Sequence, residues 1–186
     1  MGGRARIVLL NGVGSVGKTS IARALQAMVV PAYLHVQMDT FMEMLPERFQ
    51  DGPDGFTFET TQDSEQRPFV VIKTGPVGRR AMKGMRHAIV AMAHQGNNLI
   101  VDDVMLDGEM AEYARLLAPF DLLTVGVKAP LDVLEDRERA RGDRMIGLAR
   151  WQFDRVHQGV SYDLVVDTSA ASPTECATLI RRRFGL

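Results

Sequence analysis

The chain has 186 residues, 46% of them apolar and 24% charged, with a formal net charge of -1. That length supports one well-buried core, and the balanced charge lacks the basic excess of a polyanion binder, so no nucleic-acid partner is expected. A lone cysteine, Cys176, excludes an internal disulfide, MGGRARIVLL is too short an apolar run for a secretory leader, and nothing approaches the ~20 apolar residues of a bilayer span; the expectation is a cytoplasmic protein with no membrane partner.

In chain order, Ile7 to Leu10 is a short continuous apolar run, as a strand covered on both faces requires. A glycine-rich turn follows, then a helix from Ser20 to Val29 with Ile21, Ala24, Leu25 and Met28 on one side. Tyr33 to Met38 alternates and predicts a second strand, ending at Asp39. Residues 46–76 are rich in Gly, Pro, Asp and Thr with no helical period, which predicts a loop or short hairpin. Met82, Met85, Ile89 and Met92 step by 3, 4 and 3, one face of a helix that stops at Gly96. Leu99 to Val101 is a third strand running into Asp102 and Asp103, and Leu122 to Val127 is a fourth. Pro130 opens a helix where its missing N–H costs nothing. Leu164 to Val166 is a fifth strand, and a last helix starts near Pro173. The alternation predicts one α/β domain over residues 1–186, with a five-stranded parallel sheet between two helical layers. Ligands of such sheets bind beyond the strand carboxyl ends. The glycine-rich turn, Asp39, Asp102 and Asp103 all fall there.

That turn, NGVGSVGKTS, matches G-x-x-x-x-G-K-[ST] completely between a strand and a helix. The fold is therefore expected to be a P-loop NTPase or kinase, a three-layer α/β/α sandwich. Small residues let successive N–H groups converge on one anion at the positive end of the following helix. Gly12, Val13, Gly14, Ser15, Val16, Gly17, Lys18, Thr19 and Ser20 are the expected ATP-binding residues, with Lys18 on the β and γ phosphates. The Thr19 hydroxyl and the Asp102 carboxylate are the expected Mg²⁺ side. Asp103, one residue on, faces differently and is assigned to the substrate. Asp39 admits two readings: a base that accepts a hydroxyl proton, or a cap on a short helix over residues 41–45. In the arginine-rich run from Pro130 to Arg144, Glu135 and Arg139 are spaced to pair on a solvated face. Arg137 and Arg141 share another face, and Arg137 is assigned to the nucleotide. Arg141 and Arg144 flank Gly142 and are expected to reach inward from a lid over about 136–146.

NGVGSVGKTS, Met38-Asp39-Thr40, Gly75-Pro76, Ile100-Val-Asp-Asp-Val104, Ala140-Arg-Gly-Asp-Arg144, and His157-Gln-Gly-Val-Ser-Tyr-Asp163 with Val166-Asp-Thr168 occur in this order. Together they resemble the chloramphenicol phosphotransferase-like family over nearly the whole chain. The resemblance implies an ATP- and Mg²⁺-dependent kinase acting on a small-molecule hydroxyl, with Asp39 as general base, Lys18 and Thr19 in the phosphate loop, and Arg141 and Arg144 in the lid. The family builds its acceptor pocket between about 45 and 73, where this chain carries PERFQDGPDGFTFETTQD. Phe41, Met42 and Met44, with Phe56 and Phe58, are the expected acceptor wall. Residues 40–60 offer mainly Phe, Met and acids, which argues against an anionic acceptor, since that would need convergent cations. The expected activity is O-phosphorylation of a hydroxylated, antibiotic-like compound. The alternatives are a metabolic kinase of the same fold and a nucleotide-binding regulatory NTPase. His35 reads as an interior or rim residue, and His157 has no physical role legible in the sequence.

Overall fold

The apolar runs around Ile7, Leu99 and Leu122 form the middle of one sheet in the computed structural model, which describes residues 4–142 and 145–186. The first elements are β1 (Arg6–Asn11), α1 (Lys18–Met28), β2 (Tyr33–Gln37), α2 (Met38–Glu43) and α3 (Glu47–Gln50). Next come β3 (Phe56–Gln62), β4 (Pro68–Thr74), α4 (Pro76–His94), β5 (Asn98–Asp103) and α5 (Glu109–Leu117). β6 (Asp121–Lys128), α6 (Leu131–Arg141), α7 (Leu148–Phe153), β7 (Leu164–Asp167) and α8 (Pro173–Phe184) follow. The five-stranded sheet is all parallel in the order β2-β5-β1-β6-β7, with Ile7 of β1 set between Leu99 and Leu122.

Because β1 and β5 are covered on both faces, alternate side chains feed two cores. Val8, Leu10, Ile100 and Val125 pack with Ile21 and Leu25 of α1 and with Cys176 and Ile180 of α8. Ile7, Leu9, Leu99 and Val101 pack with Met85 and Ile89 of α4 and with Tyr113 and Leu117 of α5. The result is the expected three-layer arrangement, and it brings the carboxyl ends of β1, β2 and β5 to one rim.

Two local expectations need correction. The helix expected from Met82 begins at Pro76, because Pro76 sits in its first turn and has no N–H to leave unpaired. Strand β2 ends at Gln37, so Asp39 does not terminate a strand; it lies in the first turn of α2, where its charge favours the helix dipole. Residues 46–76 hold the expected short hairpin, antiparallel with Phe58 facing Ile72, preceded by the one-turn helix α3.

The hairpin does not join the main sheet. Its Val70 is buried with Leu148 and Trp151 of α7, and Phe58, Phe69 and Ile72 pack on them. The Val70 N–H donates to the Gly147 carbonyl at 3.1 Å. Arg150 of α7 pairs with Asp63 of the hairpin turn at 2.7 Å and with Glu135 of α6. Glu135 was expected to pair with Arg139, but Arg139 pairs with Asp136 instead. Arg150 is mostly withdrawn from water, where a charge pair is screened less than on an open helix face. Hairpin, α6 and α7 are thus tied together over the sheet's rim.

Candidate active site

The strand-to-helix turn at 12–17 depends on small residues at set positions. A Cβ on Gly12 would stand 2.4 Å from the Val127 carbonyl, so glycine is needed for the loop to cross β6. Gly17 (φ 96°) and Ser15 (φ 61°) take left-handed conformations that curl the backbone into a nest at the start of α1. Lys18 is buried, and its Nζ donates to the carbonyls of Gly12 at 2.8 Å and Val13 at 3.1 Å. Gly12 and Val13, the first residues of the turn, are buried and do not line the cavity. Gly14 through Ser20 line a cavity of about 580 Å³.

Asp102 enters this cavity from the end of β5. It accepts a 2.6 Å hydrogen bond from the Thr19 hydroxyl and lies 3.9 Å from Lys18 Nζ. His35 Nε2 approaches it to 3.6 Å, just beyond hydrogen-bond reach. Burial pushes this carboxyl up, but His35, Lys18 and Thr19 outweigh that effect and hold it below the usual carboxylate range. An ionised carboxylate beside a threonine hydroxyl fits Mg²⁺, which takes one or two protein oxygens and shares the rest with phosphates and water. The described residues contain no cluster of three or more His, Cys, Asp or Glu, so they offer no all-protein cage. His35 Nε2 is buried without a hydrogen-bond partner among the described residues, and a metal-bound water would supply one.

The same cavity collects most of the sequence-derived candidates. Asp39, Met42, Asp103, Arg137 and Arg141 line it, with Gln37, Met38, Phe58, Ile72, Val104 and Leu148. Phe41 does not; it packs against the core beneath α4. Met44 is exposed, and Phe56 is buried away from the cavity. Arg144 lies outside the described residues. Arg137 is clamped on Thr168, donating to its hydroxyl at 2.8 Å and its carbonyl at 2.7 Å, while that hydroxyl donates to the Val16 carbonyl. Thus the turn after β7 braces the phosphate loop. Burial pushes the Asp103 carboxyl up, against hydrogen bonds from Tyr113 (2.8 Å) and the Val104 amide (2.7 Å).

Three residues had no role legible in the sequence. Gln152 Oε1 of α7 accepts the Gly14 N–H at 2.7 Å, an approach made 138 residues apart in the chain. Glu138 is buried and accepts from the Gly147 and Ala149 amides at 2.7 and 2.8 Å, fixing the start of α7. His157 takes its role from its neighbours. Asn11 Nδ2 donates to the Tyr162 hydroxyl at 2.8 Å, and that hydroxyl lies 2.8 Å from His157 Nδ1. With Tyr162 as donor the chain of bonds runs one way and needs a neutral imidazole. Burial and the Lys128 and Lys18 charges agree, depressing the imidazole to about 4. A Cβ on Gly126 would strike the Tyr162 ring at 2.7 Å, which is why β6 carries glycine there.

Comparison with known proteins places this arrangement. The model of the chloramphenicol phosphotransferase-like protein family matches residues 5–185. A candidate O-phosphotransferase of Mycobacterium tuberculosis, found in strains CDC 1551 and H37Rv, is 30% identical over 184 residues, covering 96% of this chain and 82% of the relative. The structure of the M. tuberculosis APS kinase CysC with AMPPNP and APS superposes with a TM-score of 0.67 at 16% identity, covering 99% of both chains. A gluconokinase from Sinorhizobium meliloti 1021 superposes at 0.64 with 16% identity, covering 98% of this chain and 92% of that one. At such identities these two establish the fold, that of the P-loop kinases.

Proposed function

We propose, for a chain that belongs to the chloramphenicol phosphotransferase-like protein family and is a phosphotransferase of the P-loop kinase fold, that it moves the γ-phosphate of ATP to a hydroxyl on a largely apolar, antibiotic-like acceptor. One observation carries the reading. A single cavity is lined at one place by the phosphate loop, at another by Met38, Met42, Phe58, Ile72, Val104 and Leu148, and also by the Asp39 carboxylate. Among the described residues the apolar wall offers no cation apart from the lid arginine Arg141, which disfavours an anionic acceptor and with it the metabolic-kinase alternative.

Within this reading each residue has a task. The loop amides and Lys18 hold the triphosphate, and Thr19 and Asp102 would hold Mg²⁺, which when bound would neutralise charge on the transferring group. Asp39 orients the acceptor hydroxyl and accepts its proton. As the new P–O bond to the acceptor forms, the bond from the γ-phosphorus to the bridging oxygen breaks and ADP leaves. Arg137 and Arg141, with Arg144, offset negative charge on the phosphate oxygens. The apolar wall excludes water that would compete with the alcohol.

The test is a thermal-shift screen of hydroxylated antibiotics and related alcohols, each with AMPPNP and Mg²⁺. An acceptor bound at 100 times its Kd stabilises the complex by about 2.7 kcal/mol. ATP-dependent phosphorylation of the stabilising compound, seen by mass spectrometry, is the expected outcome. Slow hydrolysis with no alcohol ever phosphorylated would instead support the regulatory NTPase.

A further inference from the structure

The Gly14 amide belongs to the phosphate loop, yet its hydrogen bond goes to a side chain from another part of the chain. Gln152 sits in the last turn of α7, is 4% exposed and lines the cavity. Its Oε1 accepts the Gly14 N–H at 2.7 Å, while its Nε2 makes no hydrogen bond to any described residue. An anion that uses the Gly14 amide must compete with that carbonyl oxygen. A carboxylate in the same place would repel it. A carboxamide can rotate about its terminal torsion, withdrawing an acceptor and presenting a donor in the same volume.

The position along the loop indicates which phosphate is concerned. The amides at the start of α1 take the inner part of a triphosphate, and the Lys18 ammonium reaches its β and γ phosphates. Gly14 lies four residues before Lys18, on the arm of the loop beneath α7. Leu148 of α7 lines the cavity with Phe58 and Ile72, so this arm faces the acceptor wall. The helix presenting Gln152 is held by the buried Glu138 at its first amides and by the hairpin core along its side. The carboxamide is therefore delivered from a fixed support rather than from a free loop.

We propose that Gln152 is a terminal-phosphate contact: its carboxamide exchanges the Gly14 N–H for a donated hydrogen bond from Nε2 to the γ-phosphate. This rests on the ATP-binding reading above. It makes the enzyme's preference for triphosphate over diphosphate depend on a residue of α7, outside the phosphate-loop motif. Because α7 also carries the acceptor wall through Leu148 and Trp151, the same contact ties the phosphate to the hairpin.

The experiment is calorimetric titration of AMPPNP·Mg²⁺ and ADP·Mg²⁺ into the wild-type protein, Gln152→Glu and Gln152→Met, with melting curves of each. Gln152→Glu keeps the acceptor for Gly14 but cannot donate and brings a like charge to the phosphate. Its AMPPNP affinity should fall about 10- to 100-fold, as for loss of a hydrogen bond to a charged group, while ADP binding changes little. Gln152→Met keeps the volume without either polar atom and should reduce the triphosphate-to-diphosphate ratio by less than Glu does. If the Glu variant does not fold, the Met variant alone decides. A ratio equal to wild type in the folded variants overturns the proposal, whether both affinities hold or both fall together. A wild-type protein that binds neither nucleotide would instead bring down the ATP reading itself, and this inference with it.

Discussion

Replacing Asn11 by alanine should destabilise the protein far more than its size suggests. Asn11 closes β1, opens the phosphate loop and has no exposed surface. Its Nδ2 donates to the Val156 carbonyl at 2.9 Å and the Tyr162 hydroxyl at 2.8 Å, and its Oδ1 accepts the Met105 N–H at 2.9 Å. One side chain thus joins the chain segments that follow β1, β5 and α7. Three hydrogen bonds at a net ~0.5–1.5 kcal/mol each give roughly 1.5–4.5 kcal/mol, and leaving buried backbone groups without those bonds moves the sum toward the upper end. A loss of about 3–5 kcal/mol corresponds to a melting temperature lower by roughly 6–20 °C for a domain of this size. Differential scanning calorimetry and urea titration on the same preparations measure it. Asn11→Asp sharpens the test: it keeps the acceptor for Met105 but turns a carboxylate oxygen toward the Val156 carbonyl, and should cost at least as much at pH 7. A change under about 1 kcal/mol in either variant would refute the idea that Asn11 is the tie between these segments.

Asp39→Asn should leave ATP-analogue affinity nearly unchanged and lower acceptor phosphorylation by roughly 10²–10⁴, the usual contribution of a positioned base; wild-type turnover in this variant would leave Asp39 as a residue of α2 only. Arg141→Ala should reduce turnover by about 10²–10³, as loss of a charge contact made in the transition state does, whereas Arg139→Ala should be near neutral because Arg139 is exposed and pairs with Asp136. Equal small effects at both would make α6 an ordinary surface helix. His157 has a depressed pKa of about 4 against 6.5 when unfolded, so the unfolded chain takes up the proton first on acidification. Its contribution to stability is complete above pH 6.5 and is lost as the pH falls toward 4. His157→Gln should flatten that part of the urea-midpoint profile between pH 4 and 7, and an unchanged slope would show that the imidazole is not held neutral.

The sequence by itself determined the sheet, the layers and the phosphate loop, because each depends on residues close together in the chain. Short apolar runs such as Ile7–Leu10 and Leu99–Val101, bounded by turn residues, read as buried strands, and the glycines and Lys18 act within a single turn of backbone. Such local rules also marked Asp102 at the end of its strand. They failed where two elements meet end to end: β2 passes straight into α2, so Asp39 was placed one element early. In residues 46–76 they left loop and short hairpin both open, because the strands alternate weakly over the small core that the hairpin faces. Tertiary structure alone decided the rest. Phe41 and Phe58 look equivalent in composition, yet one packs beneath α4 and the other lines the cavity. Gln152, Glu138 and His157 depend on partners brought near by the folded chain: the Gly14 amide, the start of α7 and the Asn11–Tyr162 pair. A polar side chain carries no periodic signal, and its hydrogen bond across 138 residues exists only once the sheet has set the distance.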